Sequence, residues 1–401
     1  MPKPKVLFFV EGFTDIRFVT GLSEIAELTL CVPTGHYRSS GLRQRVEDSG
    51  ARVAVAEIDG GRLSYQARSF SWLWAHAREF DVILSQELLR GSLNATVVGA
   101  LRGVPVVTTM ALPPVEYFRC RRRRGQIGPV VAFAGEAIIR TLMTVNGRLS
   151  STCVVLGRYL EGIASQYCRR TDPGGYYGID TRLFTPATPD EQLALRRKWS
   201  LPEDKFIIFL SSRISHEKDP ETVLRATALA RERGLDAVLL NLSGGFRQFL
   251  DTARSLGLPD VERWVMGREA VHPMKEVADF FKASDLVAQG SLEEGLGLSP
   301  LEGLACAIPV VATNVGGMAV TLPGYARLTP VGDAEAMARE ILWVSQHREA
   351  ARAQALEGRA MVERDWSRAK AFSDLAAVFE RVVHEAAGTA APTQPSLGHH
   401  G

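Results

Sequence analysis

A chain of 401 residues, 46% apolar and 23% charged, is long enough for two domains with hydrophobic cores of their own. Its net charge of +2 gives no overall pull toward nucleic acid, and its composition is that of an ordinary soluble protein. The five cysteines, Cys31, Cys120, Cys153, Cys168 and Cys306, show no CxxC or Cys/His spacing, which argues against a disulfide framework or structural zinc and suits a reducing compartment.

In chain order, the N-terminus runs straight into an apolar strand too short for a signal-peptide core. Segments 6–10, 28–32, 53–56, 82–84 and 104–108 read as β-branched strands, with helix-like stretches at 39–49, 64–79 and 91–102 between them. A Pro- and Gly-rich stretch, 171–189, reads as a hinge. The alternation resumes with strands at 206–210, 237–242, 263–266, 286–288 and 309–312. Near-continuous apolar strands joined by helices predict parallel sheets covered on both faces. The fold class is therefore α/β, with two doubly wound Rossmann-like domains facing a central cleft. The expected divisions are 1–173, 174–365, a C-terminal helix at 366–386 returning to the first domain, and a disordered tail at 387–401. No uninterrupted apolar stretch approaches the roughly 18 residues of a membrane span. The expected location is cytoplasmic, at most peripheral to a membrane.

Two regions carry chemistry. The strand at 206–210 delivers Arg213 and Lys218 to its carboxyl end, where Asp219 is placed to cap a helix that starts with Pro220. Two cations beside a helix N-terminus suit a diphosphate; the alternative is that they are surface charges paired with Glu217 or Glu221. After the strand at 286–288 comes Glu293-Glu294-Gly295-Leu-Gly297-Leu-Ser299-Pro300-Leu-Glu302. Gly295 and Gly297 leave room for a ligand against the backbone, and the following helix start favours an anion. Ser299 and Glu302 also have the spacing of a capping box, which needs no ligand.

Together these segments resemble the large retaining glycosyltransferase family of the family-4 type with the two-Rossmann-domain (GT-B) fold. The likeness rests on Arg213 and Lys218 as its Arg-x-x-x-x-Lys pair and on Glu294 and Glu302 as its Glu-(seven)-Glu motif. Gly303-Leu-Ala-Cys-Ala-Ile-Pro309 and Gly178-Ile-Asp180-Thr-Arg-Leu-Phe184-Thr-Pro186 match its flanking segments. The resemblance implies that Arg213 and Lys218 hold the donor diphosphate and that, with Glu294, they form the catalytic set. It places Glu302 on the ribose, and Glu294 with Gly295, Leu296, Gly297, Leu298 and Ser299 around the donor sugar. Gly244 and Arg268, each following a strand, are further donor contacts, or simple turns. Gly12 stands in the loop after the first strand, where the family has Gly-Gly. Where the family often has histidines in later N-terminal strands, Gln86 and Met110 occupy comparable places.

One further feature is the run Arg119, Arg121, Arg122, Arg123 and Arg124 ahead of the apolar segment 130–145. It suits an anionic membrane surface or a phosphorylated acceptor, or it is a solvated loop. No recognition motif accompanies it, so no nucleic-acid partner is expected. The implied reaction moves a sugar from a nucleoside-diphosphate sugar to an acceptor the sequence does not identify, with retention. No cofactor is expected, and no metal, since Asp-x-Asp is absent from the chain. The alternatives are a nucleotide-sugar epimerase or phosphorylase of the same fold, or a non-catalytic nucleotide-sugar-binding protein.

Overall fold

Seven parallel strands in the order β3-β2-β1-β4-β5-β6-β7 form the first sheet of the computed structural model. Their ranges are β1 Lys5–Phe9, β2 Glu27–Pro33, β3 Val53–Ile58, β4 Val82–Ser85, β5 Val106–Met110, β6 Thr152–Leu156 and β7 Thr171–Gly174. A second parallel sheet has the order β10-β9-β8-β11-β12-β13. Its strands are β8 Phe206–Leu210, β9 Ala237–Leu242, β10 Val265–Arg268, β11 Leu286–Gln289, β12 Val310–Thr313 and β13 Arg327–Thr329. The structure describes residues 3–12, 14–123, 125–242, 245–268 and 273–388, with the backbone alone at Arg62. Gly244, Arg124 and residues 389–401 of the expected tail lie outside the described residues.

Helices cover both faces of each sheet, which is why the central strands are mostly apolar and β4, β5, β6 and β8 are buried at every residue. In each sheet the strand order reverses once, between β1 and β4 and between β8 and β11. Parallel α/β sheets bind ligands beyond the carboxyl ends of the strands at these reversals. The carboxyl ends face each other: Gly295, past β11, has the carbonyl oxygen of Ala111, past β5, so close that a Cβ would stand 2.5 Å from it.

Several boundaries differ from the sequence reading. The segment 39–49 is two helices, Thr34–Ser39 and Leu42–Asp48, broken at Gly41, whose φ of 69° is left-handed. The segment 263–266 splits into a short helix, Val261–Trp264, and β10. The hinge segment begins as an edge strand, β7. Farther on, Ile179 pairs with the chain at Ser367, donating to Trp366 O and accepting from Arg368 N at 2.8 Å each. The two connections between the sheets therefore run side by side. Beyond them, helix Arg368–Ala386 buries Phe372, Leu375, Val378, Phe379 and Val382 in the same core as Phe8, Phe18 and Leu22 of the first sheet's layer. All five cysteines are buried and none is in a disulfide.

Helix Pro129–Leu149 is long and apolar enough, by length and composition, to cross a membrane, although Glu136 and Arg140 interrupt its apolar run. Only 22% of its apolar window is buried. Its C-terminal half is anchored where Asn146 Nδ2 donates to Leu88 O and Leu89 O. Its N-terminal half leaves Val130, Val131, Phe133 and Ile138 exposed.

Candidate functional site

The loops after β8 and β11 meet at the reversal point of the second sheet. Lys218, in the turn His216–Lys218, lies 2.5 Å from Glu294 Oε2, and both side chains are largely buried. Ser291 Oγ donates to the same oxygen at 3.1 Å and accepts from Gln289 Nε2 at 2.7 Å. Gly317 N holds the Glu294 carbonyl at 2.9 Å. This scaffolding fixes one carboxylate and one ammonium side by side, with Arg213 nearby, 80% exposed and 3.6 Å from Glu217. The structure thus brings Lys218 and Glu294 together and leaves Arg213 reaching into open space. The pairing of Arg213 with Glu217 is long and exposed, so it is weak.

The helix that follows differs from the capping-box expectation. It spans Leu298–Ala305 and starts from Gly297, whose φ is 92°, a left-handed value that glycine adopts without strain. Ser299 is therefore inside the helix and its hydroxyl meets that of Ser211. Glu302 makes no cap: its carboxylate accepts from Arg17 at 3.1 Å, across the boundary between the two domains. Burial pushes the Glu302 carboxyl up against the opposing pull of Arg17. Arg17 is itself held by Asp15 at 2.9 and 3.0 Å and by Tyr177 Oη at 2.8 Å, with its guanidinium 3.9 Å over the Tyr177 ring. Arg17, Tyr177, Glu302 and Met274 line a cavity of about 340 Å³.

Other residues fall differently. Gly295 makes room for Ala111 of the first domain rather than for a ligand. Leu296 is buried, and Leu298 packs against the cores of both domains. Arg268 donates to Trp199 O at 2.5 Å and stacks toward its ring, so its contacts are with that tryptophan and not with the Lys218–Glu294 pair. Asp219 sits at its helix N-cap with a left-handed φ of 41° and accepts from Thr222 Oγ1 at 2.6 Å in place of a backbone cap. Met110 belongs to the core, whereas Gln86 donates to Tyr176 Oη at 3.2 Å.

Several site residues gave no signal in the sequence because they come from the other domain. Tyr117, on helix Pro114–Arg123, faces the acidic side of the site; burial first, then Glu294, Glu217 and Glu293, push its phenol up. Tyr159 Oη donates to Glu293 Oε1 at 2.7 Å. At the first sheet's own reversal point, residues after β1 and β4 line a second cavity of about 290 Å³, with Gly12 at an open position. Of the arginine run, Arg119 is not free for a ligand: Glu136 takes it at 2.6 and 3.0 Å and also accepts from Arg140. Arg121, Arg122 and Arg123 end their helix at the surface. Among the described residues no group of three His, Cys, Asp or Glu side chains is arranged to hold a metal.

Residues 191–361 match the family model for glycosyl transferases group 1. Similar curated relatives include D-inositol 3-phosphate glycosyltransferase 1 of Catenulispora acidiphila, 28% identical over 65% of this chain and 63% of that one. The D-inositol 3-phosphate glycosyltransferase of Thermobispora bispora is 35% identical over 60% of this chain and 56% of that one. The matches thus span less than two thirds of these relatives' length. Among solved structures, Anabaena HepE in complex with UDP superposes with a TM-score of 0.73 at 16% identity, covering 94% of this chain and all of that one. WaaG, a glycosyltransferase involved in lipopolysaccharide biosynthesis, gives 0.64 at 14% identity, covering 96% and 99%. Likeness at this level establishes the fold, which is the GT-B arrangement.

Proposed function

We propose that this chain, whose second domain carries the group 1 glycosyl transferase signature, moves a sugar from a nucleoside-diphosphate sugar to a hydroxyl of an acceptor bound by the first domain. The observation that carries this reading is the buried Lys218–Glu294 pair at a sheet reversal, with the exposed and only weakly paired Arg213 beside it. A diphosphate arriving there meets two cations and a helix N-terminus, and Glu294 turns toward the hydroxyls of the sugar. Glu302, on the next turn of chain, takes the ribose. HepE has been solved with UDP-glucose, so uridine donors come first in any test.

The transfer is proposed to retain configuration. The anomeric carbon–oxygen bond to the diphosphate breaks, the acceptor oxygen bonds to the same face, and its proton passes to the departing phosphate oxygen. Resident cations supply the stabilisation of the leaving group, so no metal is called for. Calorimetric titration with UDP and UDP-glucose tests donor binding, and NMR of the product's anomeric signal tests retention. Failure of wild-type protein to bind any nucleoside diphosphate removes the reading.

A peripheral membrane location at the cytoplasmic face belongs to the same proposal. The support is the exposed apolar half of helix Pro129–Leu149 beside Arg121, Arg122 and Arg123, a pairing of apolar and basic surface that suits anionic lipid.

A further inference from the structure

The cavity at the reversal point of the first sheet is lined by three charged side chains, Glu11, Glu87 and Arg90, two of them carboxylates. Helix Arg90–Arg102 starts at its wall with no side-chain cap. An uncapped helix N-terminus next to an arginine is a ready place for a phosphate. Here that place is taken. Glu11 Oε1 lies 2.5 Å from Arg90 Nη2 and accepts from Gln66 Nε2 at 2.7 Å. Its other oxygen stands 3.2 Å from where a Cβ on Gly91 would be, against the first turn of the helix. Gly91 is what lets the carboxylate lie so near the helix backbone.

We propose that Glu11 is an internal stand-in for phosphate and makes this cavity select an acceptor without one: a neutral or amino-bearing polyol that offers hydrogen-bond donors. This rests on the reading of the chain as a sugar transferase with its acceptor in the first domain. The chemistry follows from the occupancy. With Arg90 neutralised by Glu11, the charge left in the cavity is the Glu87 carboxyl, and a phosphate entering there meets no uncompensated cation. Desolvation, and then Glu11, push the Glu87 carboxyl up, a sign that the cavity already disfavours negative charge. Hydroxyl and ammonium groups, by contrast, find two carboxylates to receive them. A phosphorylated acceptor requires Glu11 to move aside and leave Arg90 and the helix start to the ligand.

The test compares wild type with Glu11→Gln, which keeps the size and an oxygen for Gln66 but releases Arg90. Both proteins are first saturated with UDP, and inorganic phosphate is then titrated in. The expected result is at least tenfold tighter phosphate binding by Glu11→Gln, lost again in Glu11→Gln/Arg90→Ala. In parallel, wild type should bind inositol more tightly than inositol 3-phosphate, and Glu11→Gln should reverse the order. Equal phosphate affinity in wild type and Glu11→Gln, or a wild-type preference for inositol 3-phosphate, overturns the proposal. Should UDP fail to bind, the donor reading falls, while the phosphate comparison between two proteins sharing one donor site still decides the role of Glu11. Melting curves of each variant guard against misfolding, and Glu11→Asp, which keeps the charge on a shorter arm, should retain the discrimination if the fold is intact.

Discussion

Arg17 of the first domain and Glu302 of the second form an ion pair of 3.1 Å that bridges the two halves where a ribose is proposed to sit. Under the proposed donor reading, nucleotide and guanidinium contend for one carboxylate, and the wall of that site is shared between domains. Asp15 and Tyr177 also hold Arg17, so its position does not rest on Glu302 alone.

The raised Glu302 carboxyl has a pH signature. A carboxyl whose folded value lies above its ordinary 4.5 binds its proton more tightly in the folded chain, so its contribution to stability falls as pH climbs from about 4.5 toward the raised value. Glu302→Gln removes that slope. Melting curves between pH 4.5 and 7 should show the variant gaining on wild type as pH rises, while UDP affinity at pH 7 drops if the carboxylate receives the ribose. A constant gap between the two proteins across that range would show that Glu302 does not titrate abnormally.

Lys218 and Arg213 should separate cleanly. Lys218→Ala strands a buried carboxylate at Glu294, a change that costs about 3–5 kcal/mol of stability. Arg213→Ala touches an exposed side chain and should alter stability by less than about 0.5 kcal/mol. Loss of a charge-assisted phosphate contact, about 1.5–3 kcal/mol, should still weaken UDP binding by roughly tenfold or more. Thermal melts and titration of the two variants check both halves of the contrast.

How much of this was open to a reader of the sequence depended on whether the partners lay close in the chain. Strands β8 and β9 were legible to the residue: β8 is an unbroken apolar run, and β9 is one interrupted by Asn241 alone. Strand β7, Thr-Asp-Pro-Gly, carries no such run; it pairs only with β6 at the sheet edge and reads as a turn. The Arg-x-x-x-x-Lys and Glu-(seven)-Glu spacings led to Lys218 and Glu294, which do meet. The Ser299-x-x-Glu302 spacing suggested a capping box with Ser299 at the N-cap, but the left-handed Gly297 takes that place, two residues earlier. Arg17 lies 285 residues from Glu302, and Tyr117 comes from the other domain, so neither pairing leaves a local pattern. Glu11 was visible as a residue in a loop, while its role depends on Arg90, Gly91 and Gln66 arriving from two separate helices.

Membrane contact can be tested on residues whose loss should leave the fold intact. Phe133 is 79% exposed and Val130 80%, so Phe133→Ser with Val130→Ser should not lower the melting temperature appreciably. Together with Arg121→Ser, Arg122→Ser and Arg123→Ser it should reduce sedimentation with vesicles containing phosphatidylglycerol, most strongly at low salt. Unchanged sedimentation, or no sedimentation of wild type, would leave this surface without a lipid role.

Donor turnover is expected to survive EDTA. Complete loss restored by added magnesium or manganese would mean that Arg213 and Lys218 do not suffice for the leaving diphosphate.

The helix Arg368–Ala386 has a consequence for how the chain comes to be folded at all. Phe372 fills the space over Gly21, where even a methyl group would collide with its ring, and Phe379 completes the same core. The strands of the first sheet precede the second domain in the chain, but the last wall of their core follows it. Until that helix emerges from the ribosome, Phe18 and its neighbours have no cover on that side, so the first domain cannot complete its core before the second has been made.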